Sequence, residues 1–168
     1  MIAALALSAT LMSATADYHV VLNARIGPYR DYLHGKYGRA VSVFGKPSSR
    51  GALRDSNFCT VRWRRLGLDM DFVGSLAPCT PAHLRAEGWY GATFHSRRWI
   101  VHRGLRVGDS VARMRRLYPK AKFSDAPPED PRWDLVRVPY ESGTLPLISA
   151  TSWEGKVTSI SIYSGTVF

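Results

Sequence analysis

Apolar and polar positions along this chain follow two periods, and the points where the period changes mark out its elements. Tyr37, Ala40, Val41 and Phe44 fall at i, i+3, i+4 and i+7, which predicts a short helix with one apolar stripe within Gly35–Phe44. Gly45-Lys46-Pro47 ends it, because Gly accepts the left-handed cap and Pro cannot continue a helix. After a polar, loop-like stretch from Ser48 to Asn57, Cys59, Val61 and Trp63 alternate with Thr60, Arg62 and Arg64. Beyond Leu66-Gly67, Leu68, Met70 and Phe72 alternate with Asp69 and Asp71. Period-two patterning in neighbouring runs predicts an antiparallel hairpin with one buried and one wet face, its arginines opposite its aspartates. Pro78–Gly88 reads as a loop or a single helical turn, and Ala92, Phe94, Trp99 and Val101 predict a third strand, broken near Ser96.

A similar succession follows Gly104. Asp109 is a candidate N-cap, with Ser110 the alternative one residue on. Val111, Met114, Leu117 and Tyr118 form the apolar stripe of a helix that Pro119 stops, with Arg113, Arg115 and Arg116 near its C-terminal end. Ser124–Pro131 is a turn-rich, acidic loop, and three strands finish the chain, Trp133–Pro139, Leu147–Trp153 and Lys156–Tyr163, the last two joined by a tight turn at Glu154-Gly155. Near the other end, Tyr18–Leu22 is a short edge strand or a tether. The order helix, strand, strand, strand occurs twice, so the expected fold class is α+β, as two tandem helix–antiparallel-sheet repeats. The first spans 26–103 and the second 104–168, after an N-terminal segment at 17–25.

Composition changes the picture at the start of the chain. Residues 1–16 are uncharged and largely apolar and end in Ala14-Thr15-Ala16, the small-x-small pattern of a signal peptide, so they are set apart from the fold. About fifteen residues are short for a membrane span, and no cysteine follows the cleavage point to make a lipoprotein. No Lys or Arg precedes the apolar run, which leaves the position of the true start open. The mature chain is therefore expected to be secreted, released or wall-associated, and no later segment is apolar enough to span a bilayer. An exported chain with only Cys59 and Cys79 is expected to join them in a disulfide, which stabilises a loop of about twenty residues by roughly 3 kcal/mol.

The net charge of +10 is unevenly spread: residues 91–122 carry nine Lys and Arg against one acid, whereas 123–168 carry three against six. Between Glu87 and Asp109 there is no acid, and Arg97, Arg98, Arg103 and Arg106 share that run with Trp89, Tyr90, Phe94 and Trp99. Trp, Tyr and Arg dominate binding hot spots and also suit anionic polymers. Arg97, Arg98, Trp99, Arg103 and Arg106 are thus the candidate partner-binding residues. Against them stands the plainer reading of buried tryptophans beside a solvated arginine face.

Catalytic and metal chemistry find little support. Gly108-Asp109-Ser110 and Asp31-Tyr32-Leu33-His34 superficially match two blocks of lipase-like hydrolases, but in reversed order, and Asp109-Ser110 is already explained as a helix cap. The histidines His19, His34, His83, His95 and His102 lack any His-x-x-x-His spacing, so neither a metal nor a cofactor is expected.

The run from Gly104 through Asp109-Ser110 to Leu117-Tyr118-Pro119, and its looser counterpart from Ile26-Gly27-Pro28 to Phe44-Gly45-Lys46-Pro47, resemble the helix-entry motif of tandem-repeat proteins similar to β-lactamase inhibitory protein. The same motif is similar to that of the single-repeat SmpA/OmlA-type envelope lipoproteins, and the arrangement also resembles uncharacterised secreted actinobacterial proteins. The resemblance implies helices packed on one face of an antiparallel sheet, the other face being free to bind a protein. Two departures stand out: the lipoprotein cysteine is absent, and this chain has one candidate disulfide where the inhibitory protein has one per repeat. The leading expectation is a secreted, non-catalytic module that binds a partner protein through the open sheet face. The alternatives are a basic binder of an anionic cell-wall polymer or nucleic acid, and a serine hydrolase using Ser110. The sequence identifies neither the partner nor the oligomeric state.

Overall fold

The computed structural model describes residues 17–22, 24–30, 36–52, 58–73, 79–84, 88–124, 131–140 and 143–163. The proposed signal peptide, residues 1–16, lies outside them. Three strands open the chain, β1 (Tyr18–Val21), β2 (Arg25–Ile26) and β3 (Tyr29–Arg30), followed by helix α1 (Tyr37–Phe44) and strands β4 (Ser49–Ala52), β5 (Phe58–Trp63) and β6 (Leu68–Val73). After the single turn α2 (Pro81–Leu84) come β7 (Trp89–Phe94), β8 (Trp99–Ile100) and helix α3 (Val111–Leu117). The chain closes with β9 (Lys122–Ser124), β10 (Arg132–Tyr140), β11 (Gly143–Trp153) and β12 (Lys156–Tyr163).

These strands form an eight-stranded sheet in the order β4-β5-β6-β7-β12-β11-β10-β9 and a four-stranded sheet in the order β3-β2-β1-β8. The molecule is therefore dominated by sheet, and the expected α+β fold of two tandem helix–sheet repeats is corrected. Two physical reasons account for the difference. Pro47 and Pro119 follow closely on helices that span only 8 and 7 residues. Stretches without apolar alternation pair as strands all the same: Ser49–Ala52 lies against β5, and Lys122–Ser124 against β10. Tyr18–Val21 is a strand with partners on both sides, β2 and β8, rather than an edge or a tether.

Alternation decides which face is buried. Cys59, Val61 and Trp63 of β5, Leu68, Met70 and Phe72 of β6, and Ile160 and Ile162 of β12 all fall in the core. α1 packs onto that face through Tyr37, edge-on to Phe72 at 5.8 Å, and Phe44, edge-on to Trp63 at 5.6 Å. The small sheet joins them through Trp99, whose ring lies 5.0 Å from Phe94 and 4.7 Å from Tyr18. Met114 of α3 and Leu84 of α2 are fully buried in the same cluster. The Cys59–Cys79 disulfide is formed, tying the segment before α2 to the β5–β6 hairpin.

Candidate binding surfaces

The opposite face of the large sheet is built from the other parity of each strand. One row of paired residues crosses all eight strands, from Ser49 through Arg62, Asp69, Thr93, Ser161, Ser149 and Asp134 to Lys122, without an apolar side chain. Its members hold one another in place. Arg62 and His95 both approach Asp69, at 3.3 and 3.4 Å, Thr93 and Ser161 share a hydrogen bond of 2.9 Å, and Arg137 donates to Asp134 at 2.6 Å. Beside this polar row stands an aromatic cluster: Phe58 stacks on Tyr90 at 4.3 Å, Tyr90 lies 6.0 Å from Tyr163, and the Arg132 guanidinium donates to the Tyr163 hydroxyl at 3.0 Å. All four side chains are half-buried. The sequence reading missed this cluster. Phe58 and Tyr163 sit at wet-face parity, the one local signal, but only strand pairing brings them together.

The segment 97–106 is distributed differently from the expectation. Trp99 is fully buried, stacked in the core, with its indole N–H donating to the Leu66 carbonyl at 2.7 Å, so it presents no side chain to a partner. Arg106 grips Asp17 with two hydrogen bonds of 2.9 and 3.0 Å and also donates to the Arg97 carbonyl at 3.3 Å. That pair is solvent-exposed: Arg106 lowers the Asp17 carboxyl below its usual range, and Asp17 raises the guanidinium in turn. Arg97 is exposed on the same turn. Arg98 and Arg103 line separate grooves.

Arg98 borders a groove of about 1010 Å³ between α1, Trp63–Leu66 and the Ser96–Arg98 turn. Arg103, with a left-handed backbone at φ 59°, reaches back to cap the Leu117 carbonyl at 2.7 Å. It lines a second groove of about 480 Å³ with Lys120, Lys122 and Arg137. There, burial raises the Tyr118 hydroxyl well above its usual range, and the hydroxyl donates to the His102 carbonyl. Burial lowers His102, and the nearby Arg103 lowers it further.

Ser110 is the N-cap of α3, its Oγ accepting from the Arg113 amide at 3.1 Å. Asp109, the other cap candidate, bonds the Arg106 amide and the Arg113 guanidinium, each at 3.0 Å, and so ties the helix to the preceding loop. Asp31 and His34, the remaining hydrolase candidates, lie outside the described residues. Among the described residues no group of three or more His, Cys, Asp or Glu side chains gathers as for a metal. No described helix is long and apolar enough to cross a membrane.

The chain matches no protein-family model and no curated protein. Among solved structures it is similar to an extracellular protein containing an SCP domain from Bacillus anthracis str. Ames, with 9% identity and a TM-score of 0.47, covering 80% of this chain and 45% of that one. The chain thus spans less than half the length of that protein, and the similarity is too slight to carry a role across.

Proposed function

We propose that this protein is a secreted, non-catalytic interaction module that binds a partner protein through the outer face of its eight-stranded sheet. The observation that carries this reading is the Phe58–Tyr90–Tyr163 cluster with Arg132, half-buried beside the polar row of the outer sheet face. Aromatic residues and arginine are the side chains that concentrate binding energy at protein interfaces, ringed by polar groups that exclude water. Hydroxyl and ion pairs along the row already fix the side chains, so docking would order few rotamers. The disulfide suits an oxidising compartment, in keeping with export.

Affinity capture from the native secretome by the mature protein tests the reading. Tyr90→Asp is expected to abolish capture of a partner that Arg98→Ala still retains. Capture that survives Tyr90→Asp would overturn the outer face as the site. A second reading, binding of an anionic wall polymer or nucleic acid, draws on the groove where Arg103, Lys120, Lys122 and Arg137 surround one acid, Asp134, itself held by Arg137 at 2.6 Å. Its signature is affinity that falls steeply between 50 and 200 mM salt, on the order of 10³-fold for six phosphate contacts.

A further inference from the structure

At the closed end of the β11–β12 hairpin, the outer face carries an exposed indole beside a cluster of three hydroxyls. Trp153 is 55% exposed, the most open large apolar side chain among the described residues. Strand alternation aims it outward. Its neighbour Ser152 is buried and accepts the Trp133 indole N–H at 3.0 Å, so Trp153 shares the outer face with Thr151 and Ser149. Lys156, paired opposite Trp153, stands on that face as well.

A bulge supplies the hydroxyls. Thr151 pairs with Ser159 and Ser152 with Val157, which leaves Thr158 as the extra residue of β12. Bulges re-aim side chains, and here two successive residues of β12 reach the same partner. The Thr151 hydroxyl lies 2.8 Å from that of Thr158 and 2.7 Å from that of Ser159, and these two bonds leave lone pairs over on all three oxygens. Thr151 stands two residues from Trp153, about 7 Å along the strand. The entry of α3 clamps the hairpin tip: the Val111 amide donates to the Gly155 carbonyl at 2.9 Å and the Val157 amide to the Asp109 carbonyl at 2.8 Å. Indole and hydroxyls are therefore in place before a ligand arrives, which lowers the entropy lost on binding.

A single exposed indole is ordinary on a protein surface. An indole with ordered hydroxyls one step away selects a ligand that is apolar on one flat face and hydroxylated at its edges, which is the chemistry of a pyranose. The C–H bonds of a sugar ring whose hydroxyls are all equatorial meet the electron-rich face of the indole. The sugar hydroxyls both donate and accept, as do those of Thr151, Thr158 and Ser159. Trp153, Lys156 and Thr158 are all exposed, so the site is open, and a ribbon-like glycan stacked on the indole brings its next ring over the hydroxyls.

We infer that this corner binds a neutral, cellulose-type glycan, one ring stacked on Trp153 and the next hydrogen-bonded by Thr151, Thr158 and Ser159. Lys156 and Tyr163 stand at opposite ends of β12, about 20 Å apart. The site is thus separate from the Phe58–Tyr90–Tyr163 cluster, and either reading stands or falls without the other.

Calorimetry and tryptophan fluorescence on residues 17–168, with cellohexaose, maltohexaose and hexathymidylate as probes, test the inference. Cellohexaose is expected to bind one saturable site with an affinity indifferent to salt, since a neutral ligand releases no counterions. Maltohexaose, the same sugar in a curled chain, is expected to bind at least ten-fold more weakly. Trp153→Ala is expected to weaken cellohexaose by about ten-fold with the melting temperature nearly unchanged, Trp153→Tyr to keep part of the affinity, and Thr158→Val to weaken it about three-fold. Tyr90→Asp is expected to leave it unchanged. Cellohexaose that fails to bind, or binds Trp153→Ala equally well, would remove the glycan from this corner. Maltohexaose of equal affinity would remove the ribbon shape from its recognition, and hexathymidylate displacing cellohexaose in a salt-dependent way would make the indole a platform for nucleic-acid bases. Any of these results overturns the inference.

Discussion

Trp99 shows how much one side chain's surroundings decide. It lies in the most basic part of the sequence, yet its ring meets Tyr18, Phe44 and Phe94, and its N–H is satisfied by the Leu66 carbonyl. Trp99→Ala removes a fully buried aromatic and is expected to cost about 3–5 kcal/mol, a fall of roughly 10 °C or more in melting temperature, whereas Arg97→Ala is expected to leave melting nearly unchanged. Differential scanning calorimetry of the two variants measures the contrast. Asp71 gives a pH-dependent case. Burial raises its carboxyl above the ordinary value, despite the 2.6 Å hydrogen bond from Thr60. A raised carboxyl weakens the fold progressively as pH climbs from its ordinary value to the raised one, above which the buried group carries its charge and the penalty is full. Asp71→Asn keeps an acceptor for Thr60 and is expected to raise the melting temperature at pH 7, with the gain shrinking as pH falls through the carboxylate range. A gain independent of pH would exclude burial of charge as its cause. Such environments are hidden in the sequence: Asp69 and Asp71 occupy equivalent alternation positions, yet Asp69 meets Arg62 and His95 while Asp71 meets a hydroxyl.

Elements with a strong period were legible, and elements made by pairing alone were not. The β5–β6 hairpin follows from its alternation, and Arg62 does face Asp69, whereas Arg64 leaves the ladder for a helical turn and Thr60 takes its place opposite Asp71. The Glu154-Gly155 turn also follows from sequence, both residues adopting positive φ, 48° and 74°. β4 and β9 lie at sheet edges, where no apolar face is required, so their residues carry no periodic mark. The two longer helices differ at their entries. Ser110 caps α3 with its hydroxyl, while Lys36, with the extended backbone of an N-cap at φ −87° and ψ 151°, makes no side-chain cap to α1. Ser110→Ala is expected to cost about 1 kcal/mol and Lys36→Asp to add a similar amount, shifts of about 2–4 °C in opposite directions on thermal melting. Equal melting of the two variants would mean that these helix entries are held by packing rather than by caps.

At the scale of the whole molecule, β7 and β12 form the seam through which the first and last parts of the chain share one sheet, with Phe94 opposite Ile160 and Ala92 opposite Ile162. The loop before α3 is stitched across as well, the Gly108 amide donating to the Val157 carbonyl at 2.7 Å and the Val157 amide to the Asp109 carbonyl at 2.8 Å. Residues 17–103 and 104–168 made as separate chains would each expose an unpaired central strand and half a core. Neither is expected to show a cooperative transition by circular dichroism, whereas residues 17–168 together are expected to melt in one step. The sheet's outer strands raise a question of solubility. β4 has 4 residues and β9 only 3, and β9 presents Phe123, 53% exposed, beside Lys122. Short, charged margins are how sheet proteins stop copies of themselves from adding strand upon strand. Lys122→Val would leave Val-Phe-Ser along a bare margin and is expected to turn a monodisperse solution turbid on warming, in light scattering well below the unfolding temperature. A single lysine at the end of the ladder would then separate a chain that stays in solution from one that polymerises through its own sheet.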